Sequence, residues 1–297
     1  MTPHQLRVLV TVAATGSVGA AAQRLYVTQP AVSAALGSLQ RELGVALVRR
    51  EGRGLALTAP GAVLVGYGQR LLGLLDEARV ATLASADPER GQLRLAAVTT
   101  AGEHVVPPLL ASFRKVHPHS QILLEVGNRR RVWEALGRGE VDLAVGGRPL
   151  AGAGVFSHAV APNELVVVSR PAGELRRSRN GSAALALATW LVREAGSGTR
   201  STTEELLADL QIDPPRLTLG SNGAIRESAI VGLGVALMSR AAVGRELGEG
   251  TLEELAAPGL PLLRHWHLAA REGDLPATAE MFRDHVLAAG WSAAPDA

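Results

Sequence analysis

The sequence predicts an α plus α/β fold: a small helical head with a β-hairpin, one long helix, and a two-lobed α/β body. Three observations predict it. Residues 17 to 44 hold two short amphipathic helices joined by almost no loop, residues 59 to 85 carry one uninterrupted helical repeat, and from Gln92 onward strand-like and helix-like segments alternate.

The head comes first in the chain. A helix is expected from about Pro3 to Ala14, with Leu6, Leu9, Val10 and Ala13 on one face. In the second helix Val18, Ala21, Ala22 and Leu25 follow the i, i+3, i+4, i+7 rule, and in the third Val32, Leu36, Leu39 and Leu43 recur every three or four residues. Start and stop signals frame both. Ser17 and Thr28 are good N-caps, Pro30 falls in a first turn where a missing N–H costs nothing, and Gly16 and Gly44 stand where helices end. Two helices at so tight a turn, packed on a third, make a helix-turn-helix. After Gly44, Val45 to Thr58 is two short apolar stretches around an Arg/Gly-rich turn, read as a hairpin wing whose tip offers Arg50 and Arg53 to phosphates. The bland alternative for these arginines is simple solvation.

Thr58 caps the long helix, with Pro60 in its first turn, and the helix runs to about Ser85 before Asp87-Pro88-Glu89-Arg90-Gly91 breaks it. Leu64, Tyr67, Leu71, Leu74 and Ala78 are spaced as the seam of a short coiled coil, so a dimer contact is expected; packing on its own domain is the alternative. Beyond it come strand Leu93 to Ala97, helix His104 to Val116, strand Ile122 to Val126, helix Arg131 to Gly137 and strand Val141 to Val145, a βαβαβ unit with a parallel sheet. A second set follows: strands Leu165 to Val168, Trp190 to Val192, Leu217 to Leu219 and Val235 to Met238, with a helix from Thr202 to Leu210. A strand from Trp266 to Ala270 and a helix from Ala277 to Ala289 close the chain. These are too many strands for one compact unit, so two lobes joined by crossing strands are expected.

Composition narrows the function. Only 3% of the 297 residues are aromatic, which argues against base stacking on aromatic platforms and leaves helices to recognise a duplex. The net charge of +2 argues for no partner by itself, but residues 1 to 58 hold six arginines against two glutamates. The absence of cysteine excludes disulfides, thiol redox sensing, Cys-ligated zinc and a Cys nucleophile. With no secretion signal and no apolar run long enough to span a bilayer, a soluble, cytoplasmic protein with no membrane partner is expected.

With these parts in place the chain resembles the LysR-type transcriptional regulators over nearly its full length. Leu6 to Thr58 carries the most specific match, through GSVGAAAQRLYVTQPAVSAALGSLQRELGVALVRREGRGLALT. REAGSGTR (Arg193 to Arg200) and GSNGAIRESAIVGLGVALMSR (Gly220 to Arg240) resemble the effector domain of the branch with regulators of carbon fixation and cysteine metabolism. The resemblance implies a homodimer or homotetramer on double-stranded DNA, RNA polymerase as a further partner, and two type-2 periplasmic-binding-like lobes sensing a small molecule. Domains are set at 1–58 for the winged helix-turn-helix, 59–90 for the linker helix and 91–297 for the effector domain. Lobe I takes about 91–161 and 267–297, and lobe II about 162–266. The reading helix departs from the family pattern, since Ala34, Ala35 and Gly37 stand where polar side chains are frequent. Candidate DNA contacts are Thr28, Gln29, Pro30, Ser33 and Ser38 from the helix and Arg50 and Arg53 from the wing, with Ala31 or Ala34 on a thymine methyl and part of the specificity in DNA shape.

The candidate effector site is a ring of backbone and polar groups. Thr99 and Thr100 follow the first body strand, Asn128 and Arg129 the second and Gly147 the third, at the carboxyl ends where open α/β sheets bind ligands. Ser197, Gly198 and Thr199 precede a helix, so free N–H groups and hydroxyls converge on an anion; by itself the segment reads as a turn capped by Thr199, and with the resemblance as a site. Asn222 is expected to cap a helix pointing in from the other lobe. The expected ligand is a small anionic metabolite, with Arg129-Arg130-Arg131 adding charge at the mouth or merely solvated. His265 and His267 share a strand face at a spacing a metal could use, but lack a third ligand, and are taken as packing or surface residues. No catalytic arrangement or phosphate-loop motif is present, so neither enzyme activity nor a cofactor is expected. The rival readings are an α/β binding protein or enzyme with an accessory DNA-binding head, and an architectural DNA binder with no ligand.

Overall fold

A computed structural model of the chain describes residues 1–52, 54–86, 91–149, 154–171 and 181–295. They divide into two compact units, the first made of Met1–Leu83 with Gly137–Glu140 and the second of the remainder. In the head, α1 (Pro3–Thr15), α2 (Val18–Leu25) and α3 (Gln29–Leu43) form as expected. Each is capped by a hydroxyl: Thr2 accepts from Gln5 N, Ser17 from Ala20 N and Thr28 from Ala31 N. Gln5 also reaches back to the Thr2 N–H, completing a capping box written in the sequence as Thr-x-x-Gln. Gly16 and Gly44 end their helices in the left-handed conformation, with φ of 66° and 69°. Between α2 and α3 the same conformation falls on Tyr26, φ 55°.

Leu9, Val12, Ala21, Ala22, Val32, Leu36 and Leu39 close the head's core. The buried face of α1 is broader than its spacing suggested: Val8, Thr11 and Val12 are buried with Leu6 and Leu9, while Val10 and Ala13 stay half-buried. The wing is β1 (Val48–Glu51) paired antiparallel with β2 (Gly54–Leu57). Pairing begins three residues later than expected, because Ala46 O accepts from Thr58 Oγ1 at 2.6 Å and Thr58 N donates to Leu47 O at 3.0 Å, which ties that stretch to the start of the next helix. Thr58 Oγ1 also accepts from Gly61 N at 3.1 Å, capping α4 (Ala59–Ala86). At 28 residues this helix is about 42 Å long. Leu64 packs on the head core, whereas Tyr67, Leu71 and Leu74 of the expected seam are exposed.

In the body, β3 (Gln92–Val98) is followed at once by α5 (Thr99–His104) and α6 (Val106–Val116), then β4 (Gln121–Gly127), α7 (Arg129–Gly137) and β5 (Leu143–Gly146). The short α5 was not expected, since its Gly-containing sequence has no periodic face. β3 pairs in parallel with β4 and β5. The next strand, β6 (Val155–Ser169), begins ten residues before the expected one, and holds Pro162 and Asn163 within it. Local propensity opposed that strand; two sets of partners impose it. There follow α8 (Gly181–Leu187), β7 (Trp190–Arg193), α9 (Gly198–Asp209), β8 (Arg216–Leu219), α10 (Asn222–Ile230) and β9 (Ala236–Ser239). The chain continues through α11 (Arg240–Glu249), β10 (Glu253–Leu255), β11 (Leu262–Arg271), α12 (Ala277–Ala288) and β12 (Ser292–Ala293).

β6 and β11 run antiparallel across both lobes and are the crossing strands. Toward Val155, β11 continues the sheet through β5, β3 and β4, over a core of Leu93, Leu95, Phe113, Leu143, Trp266 and Phe282. Toward Ser169, β6 pairs instead with β9 and β10, beside a core that includes Leu165, Val167, Trp190, Leu207 and Leu237. No helix among the described residues is long and apolar enough to cross a membrane.

Candidate nucleic-acid interface and ligand cleft

The outward face of α3 follows from its buried one. Val32, Leu36 and Leu39 point inward, so with 100° per residue Pro30, Ala34, Gly37 and Arg41 occupy the opposite side. Three of these four carry no hydrogen-bonding side chain. Arg41, which the sequence reading passed over, is exposed there, its Nε donating to Gly37 O at 3.3 Å. Thr28, Gln29, Pro30 and Ser33 are exposed at the start of the helix. Ser38 is placed differently: it is half-buried, and its Oγ accepts from Gln5 Nε2 at 3.3 Å, tying α3 to α1. Arg50 is exposed on the wing with no ion-pair partner among the described residues; Arg53 lies outside the described residues.

Two further side chains complete the head. Gln40 Oε1 accepts from Leu47 N at 2.8 Å and Val48 N at 3.3 Å, fastening wing to reading helix. Tyr26 is 95% exposed in the turn before α3. Nothing in their spacing marked either one, since a half-buried Gln and a turn Tyr carry no periodic signal.

The body holds a cleft of about 430 Å³ between its lobes, within the range of small-ligand sites. Thr99, Thr100, Gly127, Asn128, Arg129 and Gly147 reach it from the ends of β3, β4 and β5, and Ser197, Gly198 and Thr199 from the start of α9. All the expected effector contacts except Asn222 therefore line one space. α9 starts four residues earlier than expected, so Gly198 and Thr199 lie in its first turn, where N–H groups have no helical partner. Ser197 is the N-cap residue, yet its hydroxyl makes no cap hydrogen bond. The walls meet closely: a Cβ on Gly198 would lie 3.3 Å from Arg129 Cδ. Arg129 donates from Nη2 to Arg148 O at 2.9 Å, while its Nε is buried and unpartnered. Arg131 is drawn away from the mouth, with Nε 2.7 Å from Glu125 Oε1.

Asn222 corrects an expectation. The cap of α10 is Ser221, whose hydroxyl accepts from Ala224 N at 3.1 Å, and Asn222 is the first helical residue. Ser and Asn are both strong caps, so adjacent in sequence they leave the boundary open. Asn222 is buried and bridges the lobes: its Nδ2 donates to Thr100 Oγ1 at 2.7 Å, and its Oδ1 accepts from Arg193 Nη1. Arg193 in turn holds Glu194 through Nε at 2.7 Å and Nη2 at 2.9 Å. Those hydrogen bonds keep Glu194 below the usual carboxylate range against the opposing effect of burial.

The sequence reading did not assign Arg148, Arg193, Arg264, His265 or His267 to the cleft, yet all five line it, with Glu205 as a carboxylate. Arg148 and Arg193 stand at the ends of β5 and β7, where the strand-end rule could have found them, whereas Arg264, His265 and His267 are brought in by β11, paired along β6. Burial first, then His265 and Arg148, push His267 below the usual imidazole range, and its Nδ1 lies 2.9 Å from Ser157 Oγ. Among the described residues no group of three or more His, Cys, Asp or Glu could hold a metal ion.

Comparison with known proteins matches both parts of the chain. Residues 3–62 match the model of the bacterial regulatory helix-turn-helix protein, lysR family, and residues 86–291 that of the LysR substrate binding domain. The transcriptional regulator CfxR of Cupriavidus necator is 35% identical over 91% of this chain and 85% of its own length. The transcriptional activator CmpR of Synechocystis is 31% identical over 97% of this chain and 95% of its own. Among solved structures, full-length CbnR complexed with its target DNA shares the fold at a TM-score of 0.69 and 21% identity, covering 98% of this chain and all of that one. The CcmR regulatory domain of Synechocystis in complex with 2-PG has a TM-score of 0.62 and 29% identity, covering 67% of this chain and 96% of that one. A winged head followed by a two-lobed ligand-binding body, matched along its whole length, places this chain in the LysR family of DNA-binding transcriptional regulators.

Proposed function

We propose that this regulator is controlled by a small anionic metabolite bound between its lobes. The observation that carries the reading is the convergence of unpaired donors on one cleft: the first-turn N–H groups of α9, the uncommitted Ser197 hydroxyl and the buried, unpartnered Arg129 Nε. A buried N–H without an acceptor costs about 1–3 kcal/mol, and an oxyanion removes that cost. The CcmR regulatory domain, solved in complex with 2-PG, supports a small ligand for a body of this fold. Thr99, Asn128, Gly147 and Thr199 shape the walls, and the Asn222 bridge holds them together.

In the head, α3 lies in the major groove, with Thr28, Gln29, Ser33 and Arg41 offering hydrogen bonds and Pro30 and Ala34 an apolar surface suited to thymine methyls. Arg50 meets phosphate from the wing. The exposed stripe Tyr67, Leu71 and Leu74 on α4 pairs with a second copy, and the protein works in the cytoplasm. Ligand acts by favouring one arrangement of the paired heads, which requires different affinity for the two arrangements. Isothermal titration of the full-length protein with phosphorylated sugars and organic acids tests the cleft. A ligand is expected whose affinity falls at least tenfold in Thr199→Val; equal affinity in that variant would place the site elsewhere.

A further inference from the structure

Trp266 of β11 pairs with Ala161 of β6, between the stretch of β11 that pairs with β5 and the stretch of β6 that pairs with β9. His265 precedes that pair opposite Pro162, and His267 follows it opposite Val160, where β11 begins to pair with β5. Alternate residues of a strand share a face, and both imidazoles line the cleft. They therefore share one face of β11 on either side of Trp266, at the space proposed to hold the ligand.

The groups around them are mostly cationic. Arg148 follows β5, Arg129 opens α7, Arg193 ends β7 and Arg264 precedes the pair on β11 itself, all at the cleft wall. Glu205 from α9 faces them too, but it already accepts from Arg264 at 2.7 Å. Ser157 on β6 adds only a hydroxyl, 2.9 Å from His267 Nδ1. Cationic walls of this kind resist further positive charge, and burial, His265 and Arg148 all act to keep the His267 ring neutral. An anion reverses the local sign. Negative charge beside the imidazoles favours their protonated form, and an imidazolium attracts the anion in return.

We propose that His265 and His267 couple anion binding in this cleft to proton uptake, so that the regulator responds to pH as well as to metabolite concentration. The inference rests on the cleft being the anion site. The balance is simple: a neutral imidazole, a solvent proton and the anion become an imidazolium paired with the anion, with no bond to carbon made or broken. Linkage fixes the direction. Binding raises the imidazole pKa, so affinity increases as pH falls between the bound and free values, approaching tenfold per pH unit for one proton.

Sulfate is the probe, since it carries no proton near neutrality. Titrating the full-length protein with sulfate at pH 6.5, in two buffers of different ionisation enthalpy, counts protons directly. About half to one proton should be taken up per sulfate, with binding several-fold tighter at pH 6 than at pH 8. His267→Gln should remove at least half of that uptake and His265→Gln a smaller part, while Ser157→Ala, which alters only the partner of Nδ1, should shift the pH midpoint. Thr199→Val should weaken binding at every pH and leave the slope. Sulfate binding that depends on Thr199 but takes up no proton, or takes up the same number in both Gln variants, overturns the coupling and leaves the cleft assignment standing. Binding that ignores Thr199, or no saturable binding, overturns both.

Discussion

Asn222→Leu isolates the bridge between the lobes. The side chain is 6% exposed and makes two hydrogen bonds: one to Thr100 Oγ1 at 2.7 Å and one from the Arg193 guanidinium. A neutral bond contributes about 1 kcal/mol and one to a charged group about 1.5–3 kcal/mol. Leu fills nearly the same volume and recovers about 1 kcal/mol by its apolar burial, and Arg193 keeps its two bonds to Glu194. The net loss is about 1.5–3 kcal/mol, which for a unit of this size lowers its melting temperature by roughly 3–12 °C. Differential scanning calorimetry of the full-length protein reads it. Because the broken bond crosses between lobes, the binding-competent arrangement is also less populated, and sulfate affinity should drop by about threefold to tenfold. Ser221→Ala removes the cap of the same helix for about 1 kcal/mol and leaves the bridge, so its sulfate affinity should match the parent. An Asn222→Leu protein that melts within a degree of the parent would refute the bridge as a stabilising contact.

Three other substitutions probe the head and the long helix. Gln40→Ala leaves the N–H groups of Leu47 and Val48 without their acceptor, so the head should lose about 1–3 kcal/mol, and duplex affinity in fluorescence anisotropy should fall as the wing loosens; unchanged values for both would contradict the fastening role. Tyr26→Gly relieves a left-handed conformation that costs a non-glycine residue about 1 kcal/mol, so the head should be as stable as the parent or more so. If the 95% exposed ring meets the DNA backbone, affinity should nevertheless fall several-fold, and an unaltered affinity would exclude that contact. Leu71→Glu with Leu74→Glu places charge on the exposed stripe of α4, and sedimentation should show a smaller assembly; an unchanged assembly would move the dimer contact elsewhere.

The head was legible because local rules decide it. Ser17, Thr28 and Gly16 act through bonds to residues three or four positions away and Gly44 through its own left-handed conformation, and the structure shows each in its expected role. The seam of α4 was legible only in part, since periodicity cannot tell Leu64, which packs on the head core, from Tyr67 and Leu71, which do not. Strand ends brought Thr99, Asn128 and Gly147 to the cleft by a topological rule. Arg264 and His267 were missed for the converse reason: they reach it through β11, whose pairing with β6 overrides a Pro and an Asn in mid-strand, while Arg193 at the end of β7 was open to the same topological rule. Asn222 was placed at the right helix with the wrong task, because a cap and a buried bridge look alike one residue apart.

The most direct test joins the two ends of the molecule. Footprinting of the full-length protein on the DNA flanking its own gene, with and without the tightest anion found by titration, reads ligand and head together. The protected region should shift or shorten with the anion in the parent and stay fixed in Thr199→Val. A footprint that is identical with and without saturating anion in the parent would contradict control of DNA binding from the cleft.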